Sequence, residues 1–83
     1  MAYKILYKAS VKRDLKKIPK LEVKRIINKI ESDLGKNPEK GELLKGKFQG
    51  LYLYRIGVYQ IIYVKTVDGV MVLRISHRKD VYK

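Results

Sequence analysis

Between Leu51 and His77, three runs of alternating apolar residues follow one another with almost no chain between them. Leu51–Ile56 stops at Gly57, Val58–Lys65 stops at Val67-Asp68-Gly69, and Val70–His77 is the third run. An Asp-Gly pair between alternating segments is a strong hairpin signal. Parallel neighbours need a crossover of a dozen or more residues, so connections this short leave only antiparallel pairing. The C-terminal half is therefore predicted to be a three-stranded meander, and whatever precedes it has to cover one of its faces.

The N-terminal half reads as that cover. Tyr3, Ile5 and Tyr7 alternate with Lys4, Leu6 and Lys8, the pattern of a half-buried strand. Ser10 reads as the N-cap of a short helix through Lys17, because its hydroxyl can accept an early backbone N–H. Val11, Leu15 and Ile18 mark the buried side of that helix. Pro19 suits a helix start, where its missing N–H costs nothing. A second helix is predicted from Pro19 to Leu34, its stripe being Leu21 or Val23, then Ile26, Ile27, Ile30 and Leu34. Gly35 is expected to end it in a left-handed conformation. Residues 36–50, with Pro38, Gly41, Gly46 and Gly50, read as a loop holding one turn around Glu42–Leu44. The expected fold class is α+β, sandwich-like: an N-terminal strand, a helical hairpin and the meander form one sheet with both helices on one face. The 83 residues, 1–83, are read as one domain, and a chain this short buries only about 60% of its unfolded surface. The second sheet face stays open, and function is expected there.

Charge narrows the partners. Twenty Lys and Arg against eight Asp and Glu give +12, spread over both halves of the chain. Such a field draws polyanions or an acidic protein, although a lysine-rich surface can also serve solubility alone. The absence of cysteine excludes disulfides, thiolate nucleophiles and Cys-ligated zinc. One His among scattered carboxylates argues against a protein-only metal site. No apolar run approaches 18 residues and no signal-peptide stretch opens the chain, so a cytoplasmic location is expected, away from membranes.

Alternation groups Leu51, Leu53 and Arg55 on one side of the first meander strand. It groups Val58, Gln60, Ile62 and Val64 in the second, and Val70, Val72, Arg74 and Ser76 in the third, without saying which set meets the helices. Arg55 and Arg74 cost free energy if buried unpaired, so they read either as wet strand positions or as a cationic platform for phosphate. Ser76-His77-Arg78-Lys79-Asp80-Val81-Tyr82-Lys83 is the densest cluster of reactive groups. His77 is of the one side-chain type whose unperturbed pKa lies near neutrality, Arg78 offers a fork that fits phosphate, and Tyr82 can stack on a base. A lone His at a strand end is as readily structural.

The chain as a whole resembles the RelE/ParE toxin superfamily. Ala2-Tyr3-Lys4-Ile5 and Ala9-Ser10-Val11-Lys12-Arg13-Asp14-Leu15 match its opening. Leu44-Lys45-Gly46, then Tyr52-Leu53-Tyr54-Arg55-Ile56-Gly57-Val58-Tyr59-Gln60-Ile61-Ile62-Tyr63, follow its central pattern, and His77-Arg78-Lys79-Asp80-Val81-Tyr82 is similar to its closing motif. The resemblance implies a metal-independent, ribosome-dependent endoribonuclease that cuts mRNA in the A site. There a 2′-hydroxyl attacks the adjacent phosphate to leave a 2′,3′-cyclic phosphate. Carried onto this sequence, Arg78 would stabilise transition-state charge, Tyr82 would orient the 2′-hydroxyl or stack, Arg55 would hold the phosphate, and His77 would move a proton. Lys45, Lys47, Gln60, Arg74, Lys79 and Lys83 would flank them as RNA-binding residues. Leu53 and Gln60 stand where relatives often carry basic residues, a loss that Lys45 or Lys47 could make good. The implied partners are the ribosome with its mRNA and a RelB-like antitoxin, acidic and partly disordered when free, which would form a hetero-oligomer with the toxin. Tyr52, Tyr54, Tyr59 and Tyr63 would anchor it or simply pack the sheet. Competing readings are a ParE-like DNA gyrase inhibitor and a catalytically weak nucleic-acid-binding relative.

Overall fold

The computed structural model describes residues 3–48 and 50–80. Its elements are β1 (Lys4–Tyr7), α1 (Ala9–Lys16), α2 (Lys20–Leu34), β2 (Glu42–Leu43), β3 (Leu51–Ile56), β4 (Tyr59–Lys65) and β5 (Gly69–His77), with short 3₁₀ turns at Gly46–Phe48 and Arg78–Asp80. One five-stranded sheet runs in the order β1-β5-β4-β3-β2. The expected meander is there, antiparallel throughout. β1 joins it in parallel to β5, pairing Lys4–Tyr7 with Gly69–Val72.

The core forms where α2 and the buried side of α1 meet one sheet face. Ile26, Ile30 and Leu34 carry the predicted stripe of α2 and are fully buried, together with Val11 from α1. Val23 supplies the first turn of that stripe, whereas Leu21 is 85% exposed. From the sheet come Tyr52, Tyr54 and Ile56, then Tyr59, Ile61 and Tyr63, then Val70, Val72 and Ile75. Each fully buried aliphatic side chain contributes about 1.5–3 kcal/mol before chain entropy is charged against it.

All four sheet tyrosines therefore pack toward the helices and are not an outward anchor for a partner. The rings of Tyr52 and Tyr63 stack at 5.2 Å. The Tyr63 hydroxyl donates to the Pro38 carbonyl at 2.8 Å and accepts the Gly41 N–H at 2.9 Å, pinning the connection that leaves α2. The Tyr54 hydroxyl donates to Asp33, which Lys29 and Lys40 flank at 3.6 and 3.7 Å. These contacts hold the Asp33 carboxyl below the usual range, the Tyr54 bond being the largest cause, and burial with the same bond pushes Tyr54 up to about 12.

Three local expectations are corrected. Ser10 does not cap α1: Lys8 is the N-cap, and the Ser10 hydroxyl donates to the Leu73 carbonyl at 2.6 Å. Gly35 is right-handed, with φ −66°; a Cβ there would lie 2.2 Å from the Glu31 carbonyl oxygen, so space rather than handedness favours glycine. Glu42–Leu43 is a strand on β3, not a turn within a loop, which raises the strand count to five. The expected hairpin joins β4 to β5 at Asp68-Gly69; Gly69 is the first residue of β5, and a Cβ would come 1.9 Å from the Lys4 carbonyl oxygen, so glycine also serves the close approach of β1.

Candidate functional site

Side chains of directly paired residues share a face, so the register assigns the open side of the sheet. Arg55 pairs with Gln60 and Gln60 with Ser76, which makes one row across three strands at the end of the sheet nearest the Gly57 turn. Leu53, Ile62 and Arg74 form the next row, and Leu51, Val64, Met71 and Leu6 the one after it. Most of this face is apolar and half-exposed, with Leu6 42% exposed.

A bulge corrects the expected grouping in β5. Tyr63 pairs with Val72 but Ile62 pairs with Arg74, so Leu73 is an extra residue that switches the alternation. Val70 and Val72 consequently face the helices, while Arg74 and Ser76 face the open side. The cause is α1. β1 accompanies β5 only as far as Val72, and beyond it α1 side chains occupy the strand's outer edge. Ser10 takes the Leu73 carbonyl, and the Asp14 carboxylate accepts the Ile75 N–H at 3.0 Å. Asp14 also binds Arg74 through Nε at 2.9 Å and Nη2 at 3.1 Å. The Asp14 side chain is 8% exposed and the Arg74 side chain 58%, and the pairing raises the Arg74 pKa further. Alongside this edge runs an open groove of about 410 Å³ lined by Asp14, Lys17, Arg74, Ile75, Ser76 and His77.

The site residues expected from sequence separate as follows. Arg55 is exposed on the open face. Arg78 opens the last 3₁₀ turn, and its N–H donates to the Val58 carbonyl at 2.8 Å, which sets it at the same end of the sheet as Arg55. Lys79 is exposed in the same turn. His77 lies in the row of Tyr59 and Ile56, on the helix side and not with Arg55. Its ring meets Tyr59 edge-on at 5.6 Å, and its Nδ1 accepts the Lys79 N–H at 3.1 Å. That bond assigns the proton of the neutral imidazole to Nε2. Gln60 is only 5% exposed, so it packs beneath its neighbours and is not a surface donor to RNA. Lys45 and Lys47 lie away from it. Leu44 bonds to Leu51, which puts both lysines at the far end of β3, about 13 Å of strand from Arg55. Tyr82 and Lys83 lie outside the described residues.

Sequence reasoning missed Asp14 and Lys17. The signal for Asp14 was present: it falls on the buried side of α1 between Val11 and Ile18, and a carboxylate there requires a partner.

The family model for the ParE toxin of the type II toxin–antitoxin system parDE matches residues 5–82. The chain belongs to this toxin family. As a RelE/ParE-type toxin it is similar to Toxin RelG of Mycobacterium tuberculosis, with 28% identity over 88 residues covering 100% of this chain and 99% of that protein. Its fold matches a chain of the toxin–antitoxin complex RelBE2 from Mycobacterium tuberculosis at a TM-score of 0.87, with 26% identity over 96% of this chain and 95% of the other. It also matches a chain of the archaeal RelE–RelB complex from Pyrococcus horikoshii at a TM-score of 0.71, with 26% identity over 96% of the toxin and 99% of that chain. Among the toxin's described residues, no helix is long and apolar enough to cross a membrane.

Proposed function

We propose that this toxin is a ribosome-dependent endoribonuclease that cuts mRNA in the A site, using cationic side chains in place of a metal ion. The observation that carries the reading is the placement of Arg55 and Arg78 at one end of the sheet, beside the exposed end of β5. The 2′-hydroxyl gives its proton to water as its oxygen bonds to the adjacent phosphorus, the bond from phosphorus to the 5′-oxygen breaks, and that oxygen takes a proton from water to leave as a hydroxyl. Arg78 and Arg55 hold the phosphate and offset the charge that grows on it. Tyr82 orients the 2′-hydroxyl or stacks on its base. His77, with Nδ1 accepting the Lys79 N–H, directs its Nε2–H at the leaving oxygen as a hydrogen-bond donor that offsets the charge growing there. In this role it works from the edge of β5, not from the open face.

A RelB-like antitoxin is the expected partner, since a +12 chain favours an acidic ligand and the matched chains in both solved complexes come from assemblies named for an antitoxin. The half-exposed apolar rows of Leu51, Leu53, Ile62, Val64 and Met71 are the surface such a partner would cover. A second reading, binding to DNA gyrase, is favoured by the family name under which residues 5–82 match. Induced expression followed by mapping of mRNA 5′ ends and assay of gyrase supercoiling separates the two. Codon-phased cuts with normal supercoiling support the nuclease. Lost supercoiling with intact mRNA rejects it.

A further inference from the structure

The groove at the edge of β5 holds an arginine fixed in an unusual way. Arg74 gives its Nε and Nη2 edge to Asp14, and Asp14 in turn is saturated by the Ile75 N–H. A guanidinium has five N–H donors in a rigid plane, so docking one edge leaves Nη1 and the second Nη2 proton directed away from the carboxylate. Most of the Arg74 side chain is exposed, whereas Asp14 is buried beneath it. Lys17, in the turn that ends α1, lines the same groove and is exposed. Together Asp14, Arg74 and Lys17 carry one net positive charge, with the single negative charge turned inward. Ser76 and His77 continue the groove toward Arg78.

We propose that this groove is a phosphodiester subsite for a nucleotide flanking the cleaved bond, in which the outer edge of Arg74 and the Lys17 ammonium hold the phosphate and Asp14 is the positioning residue that aims Arg74. The proposal rests on the RNA reading and adds to it a path for the strand: along the edge of β5, past His77, to Arg78 and Arg55. It also accounts for a carboxylate in a helix that is otherwise strongly basic.

The test exploits a conflict of signs. Asp14→Asn raises the net charge by one, so long-range attraction alone predicts tighter binding to RNA. An aimed fork predicts weaker binding, because the amide cannot hold the guanidinium as the carboxylate does. Binding is measured by co-sedimentation with ribosomes programmed with a message that carries 2′-O-methyl groups in the A site, so that no cleavage intervenes. Asp14→Asn and Arg74→Lys are each expected to weaken binding at least about fivefold. Arg74→Gln is expected also to lower the slope of log affinity against log salt by about 0.7, the share of one phosphate on a single strand. On unmodified message, Asp14→Asn should raise the half-saturating toxin concentration by more than it lowers the maximal single-turnover rate. Thermal melts confirm folding, and should Asp14→Asn fail to fold, Arg74→Lys decides alone because it keeps the charge and loses only the fork. Wild-type affinity in both Arg74 variants overturns the subsite while leaving the nuclease standing. A wild-type toxin that neither binds programmed ribosomes nor cuts their message overturns both.

Discussion

Asp14 offers a stability test in which two effects can be separated. Replacing it with alanine removes an ion pair and orphans a buried backbone donor. The ion pair is the smaller loss: Arg74 is 58% exposed, so screening by water reduces its contribution to about 0.5 kcal/mol. The Ile75 N–H is buried, and leaving it without an acceptor costs about 1–3 kcal/mol. Asp14→Ala should thus cost about 2.5 kcal/mol, which for a domain of this size lowers Tm by about 10–20 °C. Asp14→Asn keeps a carbonyl oxygen that can still accept the Ile75 N–H, and should cost about 0.5–1 kcal/mol, or about 2–8 °C. Thermal unfolding followed by circular dichroism, in low salt and in about 1 M salt, where charges are screened beyond about 3 Å, checks both figures. Equal losses for the two variants, or an alanine loss that vanishes in high salt, would show that the ion pair and not the backbone bond holds this edge, and would refute the ranking.

Three further outcomes are expected. Tyr63→Phe keeps the stacked ring but strands the Pro38 carbonyl and the Gly41 N–H, which should cost about 1–3 kcal/mol by denaturant unfolding and speed amide exchange at Gly41. The Asp33 carboxyl is held below its unfolded value, so its contribution is present above the unfolded pKa and is lost as pH falls through the folded one. Tyr54→Phe removes the largest cause and should flatten that part of an acid stability curve; it also removes a contribution that the wild type keeps below pH 10 and loses as pH rises through about 12. Arg78→Ala and Tyr82→Phe should each slow single-turnover RNA cleavage at least about tenfold, or roughly 1.4 kcal/mol of transition-state stabilisation, and unchanged rates in both would remove them from the site.

What could be read in advance follows from how far each signal reaches along the chain. The meander and the helical hairpin announce themselves through local periodicity and two turns, and the structure has them within a residue or two. The alternation within β3 and within β4 likewise grouped Leu53 with Arg55 and Gln60 with Ile62, but only the register puts the two groups on one face. β5 defeats the same reasoning at Leu73, because its bulge depends on Ser10 and Asp14, some sixty residues earlier. The parallel pairing of β1, the two-residue β2 and the distance of Lys45 and Lys47 from Arg55 are likewise settled by long-range register. His77 was visible as a candidate proton carrier, but only the Lys79 N–H specifies which nitrogen of the neutral ring carries its proton.

The union of β1 with β5 has a bearing on how the toxin comes into being. Lys4 finds its partner only at Gly69, so the first strand to be synthesised has to wait for nearly the last. Contacts of such high sequence separation form late and slowly. A chain halted before residue 69 has nowhere to seat its N-terminus and lacks everything from Arg74 to Arg78. Truncated synthesis therefore leaves β1 unpaired and the sheet incomplete, so the native fold is reached only when translation of the message is all but complete.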